Sequence, residues 1–212
     1  MATAWAGRTR SSVPEELADI GARLRAEREN AAISQRELAR RLGVSASLIS
    51  QIENDQTRPS VGTLYAIVTE LGISLDRLFL DDAHRGADAN GSGDRGSSGP
   101  TPVVRRGEHH VIELDSGVRW ERLTSEQLEG VDFLHTVYDV GGSSAMEDSL
   151  MRHPGREYGY VMSGRLGVQL GFQTYALDPG DSIVFDSTQP HRLWNLGDEP
   201  VHGIWFVAGR EG

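Results

Sequence analysis

The residues whose types and spacing suit a definite chemistry lie on a predicted helix that begins near Ser45. Its apolar positions form one stripe at helical spacing, and the opposite side carries short, uncharged polar side chains: Ser47, Ser50, Gln51 and Asn54. Serine and glutamine can hydrogen-bond base edges in the major groove of DNA, and a small residue such as Ala46 can contact a thymine methyl group. The pattern favours a helix that reads DNA, and the alternative is a helical hairpin with a solvated face.

The segments around this helix are those that would position it. Ser34 followed by Glu37 predicts a capping box at the start of a preceding helix. Gly43 suits a left-handed terminator, and Ser45 can cap the second helix. Further helices are predicted from Ser12, after the turn at residues 58–60, and over residues 74–79. These flanks favour a helix-turn-helix domain over a solvated hairpin.

The run from Ser34 to Asn54, with the R-P-S-x-x-T-L and L-G-I-S-L-D-x-L-F segments that follow, resembles the Cro/lambda-repressor-like, or XRE, family of five-helix DNA-binding domains. The resemblance covers roughly the first third of the chain. It implies that Gln35 bonds a phosphate and that Asn54 and Arg58 hold the DNA backbone. It also implies a set of residues that face bases: Ser45, Ala46, Ser47, Ser50 and Gln51. A further implication is an ion pair between Arg28 and Glu53, for which the alternative is a solvated acid at Glu53.

Composition excludes several classes of protein. The 212 residues give room for one or two domains, and a hydrophobic share of 38% is enough for real cores. There is no cysteine, which excludes a disulfide framework, a thiolate metal site and a thiol nucleophile. Neither a long uncharged apolar run nor the apolar core of a signal peptide is present. We therefore expect a soluble cytoplasmic protein with no membrane partner.

The net charge of −10 is unevenly distributed. Residues 1–80 hold ten arginines against ten acids, whereas residues 81–212 hold eleven arginines against twenty-one acids. A neutral module should bind DNA weakly by itself, because binding rests largely on phosphate neutralisation. We therefore expect a homodimer on double-stranded operator DNA with pseudo-palindromic half-sites.

The chain divides by pattern into two predicted domains and a linker. The helical pattern covers residues 12–80, preceded by a short segment that is either a frayed tail or an arm that contacts phosphate. Residues 81–102 contain no large apolar side chain, which predicts a flexible linker. Residues 103–210 alternate apolar and polar positions in short segments, which predicts an all-β sandwich or barrel. The predicted strands are 111–114, 118–123, 131–140, 157–162, 166–170, 182–185, 191–196 and 201–207.

Two clusters in this β region resemble the two sequence motifs of the cupin family, a small jelly-roll β-barrel. In the first, His153, Glu157 and Gly164 match, but Met151 stands where the family has its first histidine. In the second, the opening glycine, the histidine and the asparagine match as Gly180, His191 and Asn195. Asp186 and Thr188 depart from that motif by replacing the usual proline and glycine.

The cupin resemblance implies a site in the barrel. His153, Glu157 and His191 could supply two histidines and one carboxylate to a divalent metal, a set that suits Fe(II). A methionine thioether is a poor ligand for such an ion, so a metal-free effector pocket and satisfied core histidines stay open as alternatives. Phe185 is a candidate wall that could equally be simple core. The other expected pocket residues are Met151, His153, Glu157, Tyr158, Tyr160, His191, Trp194 and Trp205.

The two resemblances together imply a DNA-binding transcriptional regulator, not an enzyme, whose cupin domain senses a small-molecule effector. The expected architecture is a five-helix α domain followed by an all-β jelly roll. The alternative is a cupin-type metal-dependent oxygenase or isomerase that carries a DNA-binding domain. A third possibility, an antitoxin-like protein, lacks an obvious toxin-binding segment.

Overall fold

The computed structural model describes residues 20–79, 102–126, 128, 130–146 and 149–209. The predicted start of the first helix at Ser12 and nearly all of the predicted linker lie outside these residues. The helical domain begins with four α-helices: α1 (Ile20–Asn30), α2 (Gln35–Leu42), α3 (Ala46–Glu53) and α4 (Val61–Leu71). A short 3-10 helix at Leu75–Phe79 completes the domain.

Local sequence signals set the ends of these helices. The Ser34 hydroxyl accepts the Glu37 N–H at 3.1 Å, and the Ser45 hydroxyl accepts the Leu48 N–H at 3.1 Å. Gly43 ends α2 with φ 69°, a left-handed conformation that costs glycine no steric penalty. The helix-turn-helix predicted from these residues is therefore confirmed.

The predicted count of five α-helices is slightly wrong for the described residues. The last predicted helix is a 3-10 helix, in which the Arg77 N–H donates to the Ser74 carbonyl three residues back. A segment this short gains few hydrogen bonds for the residues it orders, and 3-10 geometry is common in such pieces.

The β domain is a jelly roll of two antiparallel sheets. The larger sheet has the strand order β1-β2-β3-β9-β4-β7 and the smaller has the order β6-β5-β8. The strands are β1 (Val111–Leu114), β2 (Val118–Arg122), β3 (Val131–Tyr138), β4 (Arg156–Ser163), β5 (Leu166–Leu170), β6 (Gln173–Leu177), β7 (Ser182–Asp186), β8 (His191–Asn195) and β9 (Val201–Ala208).

Eight of these strands match predicted segments to within a few residues, and β6 is the strand that the sequence prediction missed. It lies at the edge of the smaller sheet, and its first four residues are all exposed. A strand without a buried side shows no apolar alternation, so the pattern could not predict it.

The two domains contact each other through α4 and the turn before it. The Gly62 N–H donates to the Ser144 carbonyl at 3.2 Å, and the Asp115 N–H donates to the Pro59 carbonyl at 3.1 Å. Tyr65 of α4 packs edge-on to Trp120 of β2, with ring centroids 5.4 Å apart. The hydrophobic core consequently continues from one domain into the other. Among the described helices, none is long and apolar enough to cross a membrane.

Candidate DNA-reading face and candidate metal centre

Helix α3 presents its polar side to solvent. Ser47, Gln51 and Asn54 are exposed, as is the cap Ser45, while Ala46 and Ser50 are half-buried. The opposite side is anchored in the core by Ile49 and Ile52, each 1% exposed. The residues expected to face bases therefore share one accessible surface. Asn54 also donates from its side-chain amide to the Ser50 carbonyl at 2.7 Å, which closes the end of α3.

A buried charge cluster fixes α3 against the two preceding helices. Arg28 donates to both oxygens of Glu53, with Nε–Oε1 at 2.5 Å and Nη2–Oε2 at 2.9 Å. This is the Arg28–Glu53 ion pair that the resemblance implied. Gln35, the expected phosphate contact, donates its amide to Glu53 Oε2 at 2.7 Å. The hydrogen bond and charge of Glu53 raise the pKa of Arg28.

Arg58, the other expected backbone contact, lies at the boundary between the domains. Its guanidinium forms an ion pair with Glu113 of β1, and both side chains are partly exposed. In this arrangement Glu113 and a DNA phosphate would compete for the same cation.

The cupin-like motifs bring three ligand groups together inside the β domain. His153 precedes β4, Glu157 lies on β4, and His191 begins β8. The Nε2 atoms of the two histidines are 2.9 and 3.1 Å from Glu157 Oε1. All three side chains are at most 4% exposed, and their ligand atoms lie within 4.8 Å of one another.

Backbone carbonyls orient both imidazoles. His153 Nδ1 is 3.1 Å from the Pro154 carbonyl, and His191 Nδ1 is 2.8 Å from the Gln189 carbonyl. A proton on each Nδ1 leaves each Nε2 with a lone pair directed at the shared point. Trp205 holds the other carboxylate oxygen by donating Nε1–H to Glu157 Oε2 at 2.7 Å.

The three converging atoms fit a divalent cation. His153 Nε2, His191 Nε2 and Glu157 Oε1 are buried without a hydrogen-bond partner of good geometry, although they lie close together. A first-row divalent ion holds nitrogen and oxygen ligands at about 2.0–2.2 Å, which separates neighbouring ligand atoms by about 3 Å when they lie at right angles and by about 3.5 Å in a tetrahedron. The 2.9 and 3.1 Å separations of the two histidine Nε2 atoms from Glu157 Oε1 match the right-angle arrangement.

The pKa shifts of Glu157 and His191 also favour a cation at this site. Burial by itself would raise the pKa of Glu157, but the imidazoles of His153 and His191 outweigh burial and leave that pKa below its usual range. Burial also opposes protonation of His191, but the Glu157 carboxylate outweighs it and raises the pKa of His191. The cluster therefore favours a negative carboxylate beside positive charge, which a metal cation would supply.

Met151 holds the backbone beside this cluster. Its N–H and carbonyl exchange hydrogen bonds of 2.9 Å with His191. The residue is half-buried and lines a cavity of about 370 Å³ whose other walls include Gly62 and Ala66 of α4 and Val44 of the turn after α2. Met151 thus forms part of the boundary between the domains.

The structure corrects three of the expected pocket residues. Tyr158 and Tyr160 are 41% and 48% exposed, because they alternate along β4 with the inward Glu157 and Gly159. Trp194 alternates with His191 in the same way and packs under the Arg192 guanidinium at 4.9 Å. Strand parity therefore places all three outside the barrel.

The other expected aromatic residues lie beside the cluster. Trp205 bonds Glu157, and Phe185 lies with its ring centroid 5.1 Å from that of His191.

Three aromatic residues near the cluster were missed by sequence reasoning. Tyr65 of α4 stacks on His153 at 4.0 Å with an interplanar angle of 11°, and Trp120 packs against Tyr65. Tyr138 is buried, and its pKa is raised mainly by that burial and to a smaller extent by the charge of Glu157. Alternation along β2 and β3 could have indicated that Trp120 and Tyr138 point inward. No pattern connects Tyr65 to the other domain.

Two family models match the chain: a helix-turn-helix model over residues 24–78 and a cupin domain model over residues 135–207. The HTH-type transcriptional regulator PuuR of Escherichia coli (strain K12) is 26% identical over 176 residues, which cover 82% of this chain and 86% of that protein. An uncharacterized HTH-type transcriptional regulator of Mycobacterium tuberculosis (strain CDC 1551 / Oshkosh) is 38% identical over 60 residues, or 28% of this chain and 43% of that protein.

A crystal structure of an HTH_3 family transcriptional regulator from Vibrio cholerae shares the fold across both domains. Its TM-score is 0.63 at 20% identity, with 91% of this chain and 96% of that chain covered.

Proposed function

We propose that this chain is a transcriptional regulator in which the cupin domain controls operator binding by the XRE-type helix-turn-helix domain. The cupin domain binds a small molecule and a divalent metal ion, and this binding changes the affinity for the operator. The buried cluster of His153, Glu157 and His191 carries this proposal. Buried ionisable groups are normally paired or hydrogen-bonded, so three buried ligand atoms without aligned partners support a binding site here.

The DNA-binding half of the proposal rests on the exposed polar face of α3. Selection of the full chain against a pool of random duplexes tests it. We expect enrichment of a sequence with two related half-sites spaced by about 34–36 Å or a multiple of that distance, because two-fold protein symmetry is mirrored in the operator. Failure to enrich any sequence would refute specific DNA binding.

The metal half rests on the donor set. Two imidazoles and one carboxylate suit Fe(II) with positions left for another ligand, and a bound ion would supply Lewis acidity toward an anionic or polar effector. Titration of Co²⁺ into chelator-treated protein, followed by visible absorption, tests this directly. Absence of a Co²⁺ spectrum at high protein concentration would contradict the proposed metal site.

The proposed homodimer has a candidate interface on the outside of the larger sheet. Paired positions of four neighbouring strands form an apolar row across that face: Phe133, Phe206, Tyr158 and Val184. Exposed contiguous apolar patches commonly mark association sites. We propose that this row packs against a second copy of the chain, because an electrically neutral DNA-binding module needs a partner to bind phosphate strongly.

Light scattering of the full chain tests the interface. Tyr158→Glu combined with Val184→Glu places two charges on adjacent strands of the row and should give a monomer. Phe172→Glu, at a fully exposed turn outside the row, serves as the control and should stay dimeric. A monomeric wild type, or a dimer in all three proteins, would contradict this assignment.

A second candidate function follows from the same cluster. A two-histidine, one-carboxylate site is also the donor set of Fe(II) oxygenases, so the cupin domain could catalyse oxidation. Oxygen uptake by the Fe(II)-loaded protein with candidate organic acids separates the two. Sustained uptake with multiple turnovers would favour an enzyme over a sensor.

A further inference from the structure

The helix-turn-helix domain reaches the proposed metal cluster through the ring of Tyr65. Tyr65 of α4 lies flat on His153 at 4.0 Å, and its own edge meets Trp120. Tyr65 is only 4% exposed, so it is enclosed between the two domains. One face of a candidate metal ligand is therefore covered by the DNA-binding domain.

The remaining sides of His153 are also held. Nδ1 faces the Pro154 carbonyl, Nε2 faces Glu157, and His191 meets the ring edge-on at 5.2 Å. Because Tyr65 belongs to the helix-turn-helix domain, the space that it occupies beside His153 can be vacated by movement of that domain.

A second contact connects α4 to the strand that carries His191. The Gly62 N–H donates to the carbonyl of Ser144, which is fully buried. The Ser144 N–H donates to the Leu193 carbonyl at 2.8 Å, and its hydroxyl accepts the Leu193 N–H at 2.9 Å. Because α4 also carries the buried core residues Val61, Leu64 and Val68 of the helical domain, α4 and that domain should move together.

We propose that Tyr65 is a wall of the effector site and that an effector takes its place, which unseats the helix-turn-helix domain from the cupin domain. This inference rests on the proposed function of the cluster. The vacated space is bounded by the face of His153 and the ring of Trp120, and it therefore suits a flat, unsaturated ligand. A carboxylate on that ligand could reach the ion held by the cluster, so the ligand class is a small aromatic acid.

Unseating would act on DNA binding through Arg58. With α4 seated, Arg58 pairs with Glu113; with α4 released, its guanidinium is available to a phosphate. A ligand that binds only the unseated state has an apparent affinity reduced by the fraction of molecules in that state. The same ligand shifts the balance toward release, because the linkage is reciprocal.

Benzoate serves as the probe, titrated into the Co²⁺-loaded full chain and followed by visible absorption. Tyr65→Ala should bind benzoate about tenfold more tightly than wild type, the value expected if Tyr65 vacates the space in about one molecule in ten. Tyr65→Phe keeps the ring and should bind benzoate with an affinity closer to that of wild type than to that of Tyr65→Ala. Cyclohexanecarboxylate, which has the same charge but no flat ring, should bind more weakly than benzoate to Tyr65→Ala.

Movement of the domain is measured separately. Because the chain has no cysteine, spin labels can be attached at Arg36→Cys and Phe172→Cys, both exposed positions, in Zn²⁺-loaded protein diluted with unlabelled chains. Benzoate should broaden or shift the distance between the labels in wild type. An unchanged distance with benzoate bound would overturn the proposed unseating.

The outcomes separate this inference from the proposed function. If Co²⁺ does not bind to wild type, the metal site itself is refuted. If Co²⁺ binds but benzoate binds wild type, Tyr65→Ala and Tyr65→Phe equally, or none of them, Tyr65 is not a wall of the site and the inference is wrong. If Tyr65→Ala does not fold, Glu113→Gln provides the test, because it removes the Arg58–Glu113 ion pair between the two domains. It should raise the affinity for benzoate by a smaller factor, and no increase would contradict the inference.

Discussion

Each of the two domains buries a glutamate in a cluster of polar side chains, but only one cluster is complete. Glu53 is 5% exposed and Glu157 is 3% exposed. Arg28 and Gln35 donate three hydrogen bonds to Glu53, which satisfy both carboxylate oxygens. Glu157 receives one such bond, from Trp205, while its other oxygen faces two imidazole nitrogens without an aligned donor.

The difference distinguishes a structural ion pair from a binding site. A buried carboxylate is costly unless it is paired, and the cation that pairs with Glu53 is a permanent side chain. The groups that face Glu157 Oε1 are two histidines, which supply positive charge when they are protonated and lone pairs when they are neutral. The second cluster can therefore exchange its proton for a metal ion, whereas the first cannot.

The largest expected effect comes from the same substitution made in both clusters. Glu53→Gln leaves the charge of Arg28 buried without its partner, which should cost about 3–5 kcal/mol of unfolding free energy in the helical domain. Glu157→Gln leaves no permanent buried cation and should cost the metal-free protein much less. Urea unfolding in the presence of a chelator, followed by circular dichroism and tryptophan fluorescence, measures both. Equal losses would remove the distinction between the clusters.

Metal binding should stabilise only the protein with an intact second cluster. At a free Co²⁺ concentration 100 times the dissociation constant, the stabilisation of wild type should be about 2.7 kcal/mol. His153→Ala combined with His191→Ala should abolish this stabilisation. The matched control is His135→Ala combined with His202→Ala, which removes two histidines on the outside of β3 and β9. This control should keep the stabilisation by Co²⁺. Stabilisation that survives loss of both cluster histidines would place the ion elsewhere.

Base contacts by α3 should have a smaller effect. Ser47→Ala and Gln51→Ala should each cost about 1–3 kcal/mol of binding to the selected duplex and relax its sequence preference. Gln173→Ala, an exposed glutamine of β6, controls for the substitution itself. Fluorescence anisotropy on selected and random duplexes provides the comparison, and an equal loss on both would contradict base reading.

The smallest effect concerns the cation shared between the domains. Arg58→Gln should weaken binding to every duplex and reduce the slope of log affinity against log salt by about 1. Glu113→Gln should slightly strengthen binding to every duplex and slightly increase the salt slope, because Glu113 no longer competes with phosphate for Arg58. If neither substitution alters the salt slope, Arg58 does not contact phosphate.

Local signals account for most of what the sequence could predict. Helix caps such as Ser34 and Ser45, the glycine terminator at Gly43 and the alternation along eight strands are encoded within a few residues. The histidines and glutamate of the second cluster were found through motif spacing. Strand β6 has no buried side to reveal it, and the contact between Tyr65 and His153 depends on how two domains pack. Tyr158, Tyr160 and Trp194 were assigned to the pocket by residue type, although strand parity with Glu157 and His191 indicated the outer face.

The number of divalent ions bound by the second cluster tests the central contrast most directly. Chelator-treated full-length protein should bind one Co²⁺ per chain in a calorimetric titration, and Glu157→Gln should bind none under the same conditions. No binding by wild type, or one ion still bound by Glu157→Gln, would show that the Glu157 cluster is as closed as the Glu53 cluster and would contradict the account.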